Sequence, residues 1–330
     1  MRWTKSAKHI ALLALVPAVG LIVALAALLP SWLAPSSTSG GDRPPAAPGA
    51  GRGEAEAAPA AADDAEEAAA EDAAASRRRV APTTAAKAPA TGPYLYKGFG
   101  LDTCEAPAVS SLRAWNSTRY RAIGVYFAGH GRACPKQHNL SPQWFQGAKA
   151  AGWRVLPVYL GGQAPCVKNK HKRRYAIGAD PFKEGTTEAR VAVKRAQAYG
   201  IMPRSPIYLD IEAYDLKNQS CKAKTLSFVR SWSREVRRFG YIAGFYSSAN
   251  SGVRHLASAR AKGYTDLPSV MWFARWRVPP SAYGEKWLPQ TAWHPNRRIH
   301  QYAGHVLETH GGRKLRIDRN WVDAPVAVIR

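Results

Sequence analysis

The sequence predicts an α/β protein built on an eight-stranded (β/α)8 TIM-type barrel, in ideal or modified form. Three observations lead there. After Pro93, short apolar segments of strand length alternate with helical patterns, the signature of βα units around a parallel sheet. Eight such segments can be counted. The stretch that holds them is about 240 residues long, a usual size for one barrel, and it contains almost all of the Trp and Tyr.

Residues 1–34 read as an export segment. Arg2, Lys5 and Lys8 precede an apolar run from Ile10 to Leu29 that stops at Pro30. The run is long enough to span a bilayer as a signal-anchor transmembrane helix, while Ala24-Leu25-Ala26 offers the small residues of a cleavage site. Either reading places the rest of the chain outside the membrane, because the positive residues lie on the N-terminal side. Residues 35–93 are rich in Ala, Pro and Glu and lack the aromatic and branched residues that offset ordering entropy, which predicts a disordered linker. Residues 94–330 are the expected barrel.

The expected strands are Gly98 to Thr103, Ala122 to Ala128, Arg154 to Leu160, Pro206 to Glu212, Tyr241 to Tyr246, Ser269 to Ala274, Arg297 to Tyr302 and Leu315 to Ile317. Ser141-Pro142 begins a helix as N-cap and first position, Thr186-Thr187-Glu188 begins another, and Ala223 to Phe239 forms a third that ends at Gly240. No helix is evident from Pro279 to Pro295, and the eighth strand is short.

Barrel enzymes carry their chemistry at the C-terminal ends of the strands. Four carboxylates fall at such ends: Asp102, the pair Asp210 and Glu212, and Asp318. Side chains alternate along a strand, so Ile207, Leu209 and Ile211 face one way and Tyr208, Asp210 and Glu212 the other. Burying an unpaired carboxylate costs several kcal/mol, about 3 or more, which makes this strand a poor choice unless the acids are used. They are the candidate catalytic residues, expected to be buried. The structural alternative is ion pairing with some of the many Lys and Arg. Tyr126, Tyr159, Tyr246, Trp272, Trp276, Gln301 and Tyr302 occupy similar positions. Flat aromatic faces beside hydrogen-bonding groups suit a sugar, whose ring faces are apolar and whose edges are hydroxyls.

Cys104, Cys134, Cys166 and Cys221 are an even number in a chain with an export segment, which points to disulfides. Four cysteines allow three pairings; neighbouring loops favour Cys104 with Cys134 and Cys166 with Cys221. Their spacing fits no zinc motif, and neither a metal nor another cofactor is implied. The formal charge is +24, and the first 93 residues hold nine basic and nine acidic residues, so the surplus lies wholly on the barrel. Such a domain attracts polyanions. No helix-turn-helix, finger or ribonucleoprotein motif is present to direct it to nucleic acid, which leaves anionic wall polymer or wall glycan as the expected partner.

Asp102, Asp210-Ile-Glu212, Tyr246-Ser-Ser248, Gln301-Tyr302 and Ile317-Asp-Arg-Asn320 together resemble the pattern of the family 25 glycoside hydrolases, the Chalaropsis-type lysozymes. More closely, Gly98-Phe-Gly-Leu-Asp102, Leu156-Pro-Val-Tyr159, Tyr208-Leu-Asp-Ile-Glu-Ala-Tyr214, Gly244-Phe-Tyr-Ser-Ser248 and Ile299-His-Gln-Tyr302 resemble an exported actinobacterial glycoside-hydrolase-like family, formerly of unknown function. The resemblance implies a modified barrel, a lysozyme-like action on cell-wall peptidoglycan, the acid role for Glu212 and supporting roles for Asp210, Asp102 and Asp318. A non-catalytic glycan-binding module is the alternative. The chain departs from the lysozyme pattern at Thr103-Cys104 and at Gly124-Val-Tyr-Phe-Ala-Gly129.

Overall fold

A computed structural model describes residues 94–330; the export segment and the linker expected before them lie outside the described residues. Eight strands close into one barrel in sequence order. They are β1 (Leu95–Thr103), β2 (Tyr120–Ala128), β3 (Arg154–Tyr159), β4 (Pro206–Asp210), β5 (Ile242–Ser248), β6 (Val270–Ala274), β7 (Arg298–His310) and β8 (Arg313–Pro325).

The first seven strands are parallel and the eighth is not: β8 runs antiparallel to both β7 and β1. This corrects the expected short last strand. Gly311 and Gly312 both have positive φ, 53° and 71°, the backbone that a tight two-residue hairpin turn needs at its two central positions. They turn the chain straight back, so β7 and β8 form a hairpin of two 13-residue strands with no helix between them. The connection from β6 to β7 is likewise without a helix among the described residues, as its sequence suggests.

Among the described residues five α-helices cover the outside: α1 (Val109–Ala114), α2 (Pro142–Ala150), α3 (Pro181–Ala198), α4 (Gln219–Arg238) and α5 (Arg254–Ala261). Ser141 caps α2 through the Trp144 amide. α3 starts earlier than Thr186, because Asp180 caps the Lys183 amide and Pro181 takes the first position. α4 buries Phe228, Val229, Trp232 and Val236 against the sheet, a stripe at helical spacing.

Alternation along the strands divides the core in two. Ile207, Leu209 and Ile211 belong to the layer between sheet and helices, whereas Tyr208, Trp272, Leu156, Val158 and Ile299 fill the barrel interior. A Cβ on Gly124 would lie 2.7 Å from both the Trp272 ring and Asp102 Cβ, so only glycine leaves room there for the indole beneath the site.

Candidate active site

The mouth of the barrel opens into a cleft of about 930 Å³ lined by Asp102, Asp210, Glu212 and Asp318, with Tyr126, Tyr246 and Trp276. All four carboxylates singled out from the sequence therefore meet in one space, and they do so as two pairs.

The first pair comes from β1 and β8. Asp102 and Asp318 are register partners across the antiparallel ladder. Asp318 thus stands beside Asp102 in mid-strand rather than at the end of a parallel one. Gln301 on β7 donates to Asp102 Oδ2 at 3.0 Å and to Asp318 Oδ2 at 3.3 Å. Its own carbonyl accepts from the Tyr246 hydroxyl and from Trp276 Nε1, both at 3.0 Å. Asn320 donates to Asp102 Oδ2 at 2.7 Å and accepts from Trp272 Nε1 at 2.8 Å. Burial, and then the neighbouring charge of Asp318, raises the Asp102 carboxyl to about 8; the Asn320 and Gln301 amides oppose the shift. Asp318 is raised as well, by burial, against the His305 amide that donates to it at 2.6 Å.

The second pair sits at the exit of β4. The strand ends at Asp210, and Gln163 bridges the bend: its amide donates to the Asp210 carbonyl at 2.8 Å and its carbonyl accepts from the Glu212 amide at 2.8 Å. Burial drives the Asp210 carboxyl well above its ordinary value, Glu212 adds to that, and Lys172 and the Tyr126 hydroxyl oppose it. Asp210 Oδ1 is buried with no hydrogen-bond partner.

Glu212 differs from its expectation. It lies beyond the strand, its side chain is 26% exposed, and Lys172 Nζ stands 3.3 Å from Oε1. Asn169 donates to Oε2 at 2.9 Å. The buried acid of the pair is Asp210, and Glu212 faces the cleft as an ion-paired group. Lys172 is itself buried and donates to the Gly131 carbonyl at 2.6 Å.

Four of the residues assigned to sugar contact do not line the cleft, and one of them is Gln301, which is buried and engaged by Asp102, Asp318, Tyr246 and Trp276. Leu156 and Val158 point into the barrel, so Tyr159 points out, where it hydrogen-bonds Glu188. Tyr302 likewise follows the inward Gln301 and faces outward, into a shallow groove it shares with Trp276. Trp272 forms the floor under Asn320 and does not line the cleft.

Sequence reasoning missed Gln163, Asn169 and Lys172. The last two lie in a run of basic residues that reads as solvated surface, although Val167, two residues ahead of Asn169, is buried. Their loop is bonded to α4 by Cys166–Cys221, while Cys104–Cys134 joins the β1 and β2 loops at the cleft wall. Among the described residues no group of three or more His, Cys, Asp or Glu side chains is arranged to hold a metal ion.

A closed barrel with two carboxyl pairs at the floor of an aromatic-edged cleft defines a glycoside-hydrolase-like domain. Residues 113–322 match the model of the Rv2525c-like, glycoside hydrolase-like domain, and the chain belongs to that family. No curated protein matches the chain. Among solved structures it is similar to the Tat-secreted protein Rv2525c of Mycobacterium tuberculosis, at 18% identity over 69% of this chain and 96% of that one, with a TM-score of 0.48. It is also similar to the spore cortex lytic enzyme SleM of Clostridium perfringens, at 11% identity over 68% and 67% of the two chains and a TM-score of 0.46. The modular autolysin LytC of Streptococcus pneumoniae is similar at 14% identity over 70% and 47%, with a TM-score of 0.43.

Proposed function

We propose that the protein is exported and acts on the glycan of cell-wall peptidoglycan, hydrolysing β-links between N-acetylated sugars in the barrel cleft. The observation that carries this reading is the buried, unpartnered Oδ1 of Asp210, two residues before Glu212 and in the same cleft. A buried acceptor without a donor costs about 1–3 kcal/mol, and a ligand N–H removes that cost. The acetamido N–H of an N-acetylated sugar is such a donor. Glu212 is the acid of this scheme. Its proton passes to the glycosidic oxygen as the C1–O bond breaks, and the acetamido oxygen, oriented through Asp210, meets the positive charge at C1. Water then adds at C1 and returns its proton to Glu212.

The two disulfides support an oxidising compartment. The apolar run ahead of the linker would deliver the chain there and either hold it at the membrane or be removed.

One observation favours a second reading, a glycan-binding module without turnover. Lys172 and Asn169 occupy both oxygens of Glu212, and neither is free for a leaving group until that contact opens. Incubation of the full-length protein with purified peptidoglycan separates the two. New reducing ends that accumulate with time support the hydrolase; saturable binding with no new reducing ends supports the binding module.

A further inference from the structure

The hairpin of β7 and β8 carries a feature that the carboxyl floor does not use. Side chains two apart on a strand share a face, and Asn320, Asp318, Arg316 and Lys314 follow that spacing up β8. Asn320 bonds Asp102, and Asp318, Arg316 and Lys314 line the cleft, so the row climbs from the acidic floor to a basic lip. Ile317 and Leu315, between them, pack on the other face. Arg316 and Lys314 stand roughly 7 and 14 Å along the strand from Asp318.

The cross-strand partners of Arg316 and Lys314 are Leu307 and Thr309, neither of them acidic. The one acid in that part of β7, Glu308, faces away and is engaged by Tyr120, Arg319 and His310. The other Lys and Arg side chains that line the cleft are ion-paired: Lys172 with Glu212 and Arg275 with Glu285. Among the described residues Arg316 and Lys314 make no ion pair. Both are exposed and line the cleft, where their charge meets a bound ligand.

We infer that Arg316 and Lys314 are specificity-determining residues that read an anionic substituent, a carboxylate or a phosphate, on the glycan in the cleft. This rests on the glycan reading proposed above and adds the chemistry of the group that is recognised. A neutral N-acetylated chain would meet the same floor and aromatic edge but leave the lip unpaired.

The test uses the full-length protein and three probes of matched length: a neutral chito-oligosaccharide, a peptide-free wall glycan strand bearing lactyl carboxylates, and a glycerol-phosphate polymer. Affinities are measured by equilibrium titration at low salt. The expected result is about tenfold tighter binding of the carboxylate-bearing strand than of the neutral one, a ratio that falls toward one in the Lys314→Ser/Arg316→Ser double variant and is retained in Lys314→Arg. Equal affinities in the wild type, or a ratio that survives in the double variant, overturn the inference. If neither glycan binds while the phosphate polymer binds through the same two residues, the inference of a glycan substituent and the glycan reading are both overturned, and the lip is a site for phosphate polymer. Binding of none of the three overturns both.

Discussion

Asp102 and Asp318 are held by side chains that rise from the barrel wall itself, Gln301 from β7 and Asn320 from β8, with Trp272 beneath. Asp210 and Glu212 are held by a loop that folds over the wall, through Gln163, Asn169 and Lys172, and that loop is fastened to α4 by a disulfide. The contrast separates two ways of burying acid. On the strands, neutral amides surround carboxyls that burial has driven toward the protonated form. At the loop, an ammonium pairs with one half-buried carboxyl while its neighbour is buried. A strand-borne site is rigid because its supports are ladder residues; a loop-borne one moves when its fastening is cut.

The largest effect should come from the loop-held pair. Glu212→Gln is expected to lower the release of reducing ends by about 100-fold to 10,000-fold, the usual range for losing a general acid, with glycan binding retained. Reducing-end assays beside titration of the same variant check both halves.

Next is the pH behaviour of the strand-held pair. In the folded protein Asp102 keeps its proton up to about pH 8, whereas an unfolded aspartate releases it near pH 4. Between those values the native state binds more protons. The stability from neutral Asp102 is complete below about pH 4 and is lost as pH rises to about 8, on the order of a few kcal/mol. Asp102→Asn should flatten that slope. Urea unfolding at pH 5 and pH 8.5, wild type against variant, measures it.

Removing the fastening comes third. Cys166→Ser/Cys221→Ser should cost roughly 2–4 kcal/mol of stability for opening a loop of 55 residues, and should raise hydrogen exchange in residues 163–175 more than in β7 and β8. Gln301→Leu is expected to cost about 2 kcal/mol, since it orphans the Tyr246 hydroxyl and the Trp276 indole together with one contact to each Asp. Denaturant unfolding compares the two. The smallest effect distinguishes the cleft from the groove beside it. Trp276→Ala should weaken glycan binding severalfold, on the scale of one aromatic contact, whereas Tyr302→Phe, outside the cleft, should leave it within about twofold.

Much of this site could be read from residue spacing. Asp102, Asp210 and Glu212 fall at ends of apolar strands, and a closed barrel brings such ends together whatever the loops do. Asp318 reached the right neighbour by another route, because a hairpin return and a parallel eighth strand both place β8 against β1. What hid the hairpin was its polar run Glu308-Thr-His310 before Gly311-Gly312, which lacks the apolar alternation that usually flags such turns. Tyr159 and Tyr302 suit a sugar by residue type, yet period-two alternation from Val158 and Gln301 sends them outward. Lys172 was invisible for a physical reason: a basic residue in a basic loop is buried by contacts with Glu212 and the Gly131 carbonyl, both distant in sequence, and no local pattern encodes those.

A structure of Glu212→Gln bound to an N-acetylated tetrasaccharide tests the central claim most directly. The account predicts a sugar in the barrel cleft with its acetamido N–H donating to Asp210 Oδ1 and Lys172 displaced from residue 212. A sugar bound outside the cleft, with Oδ1 still unpartnered, would contradict it.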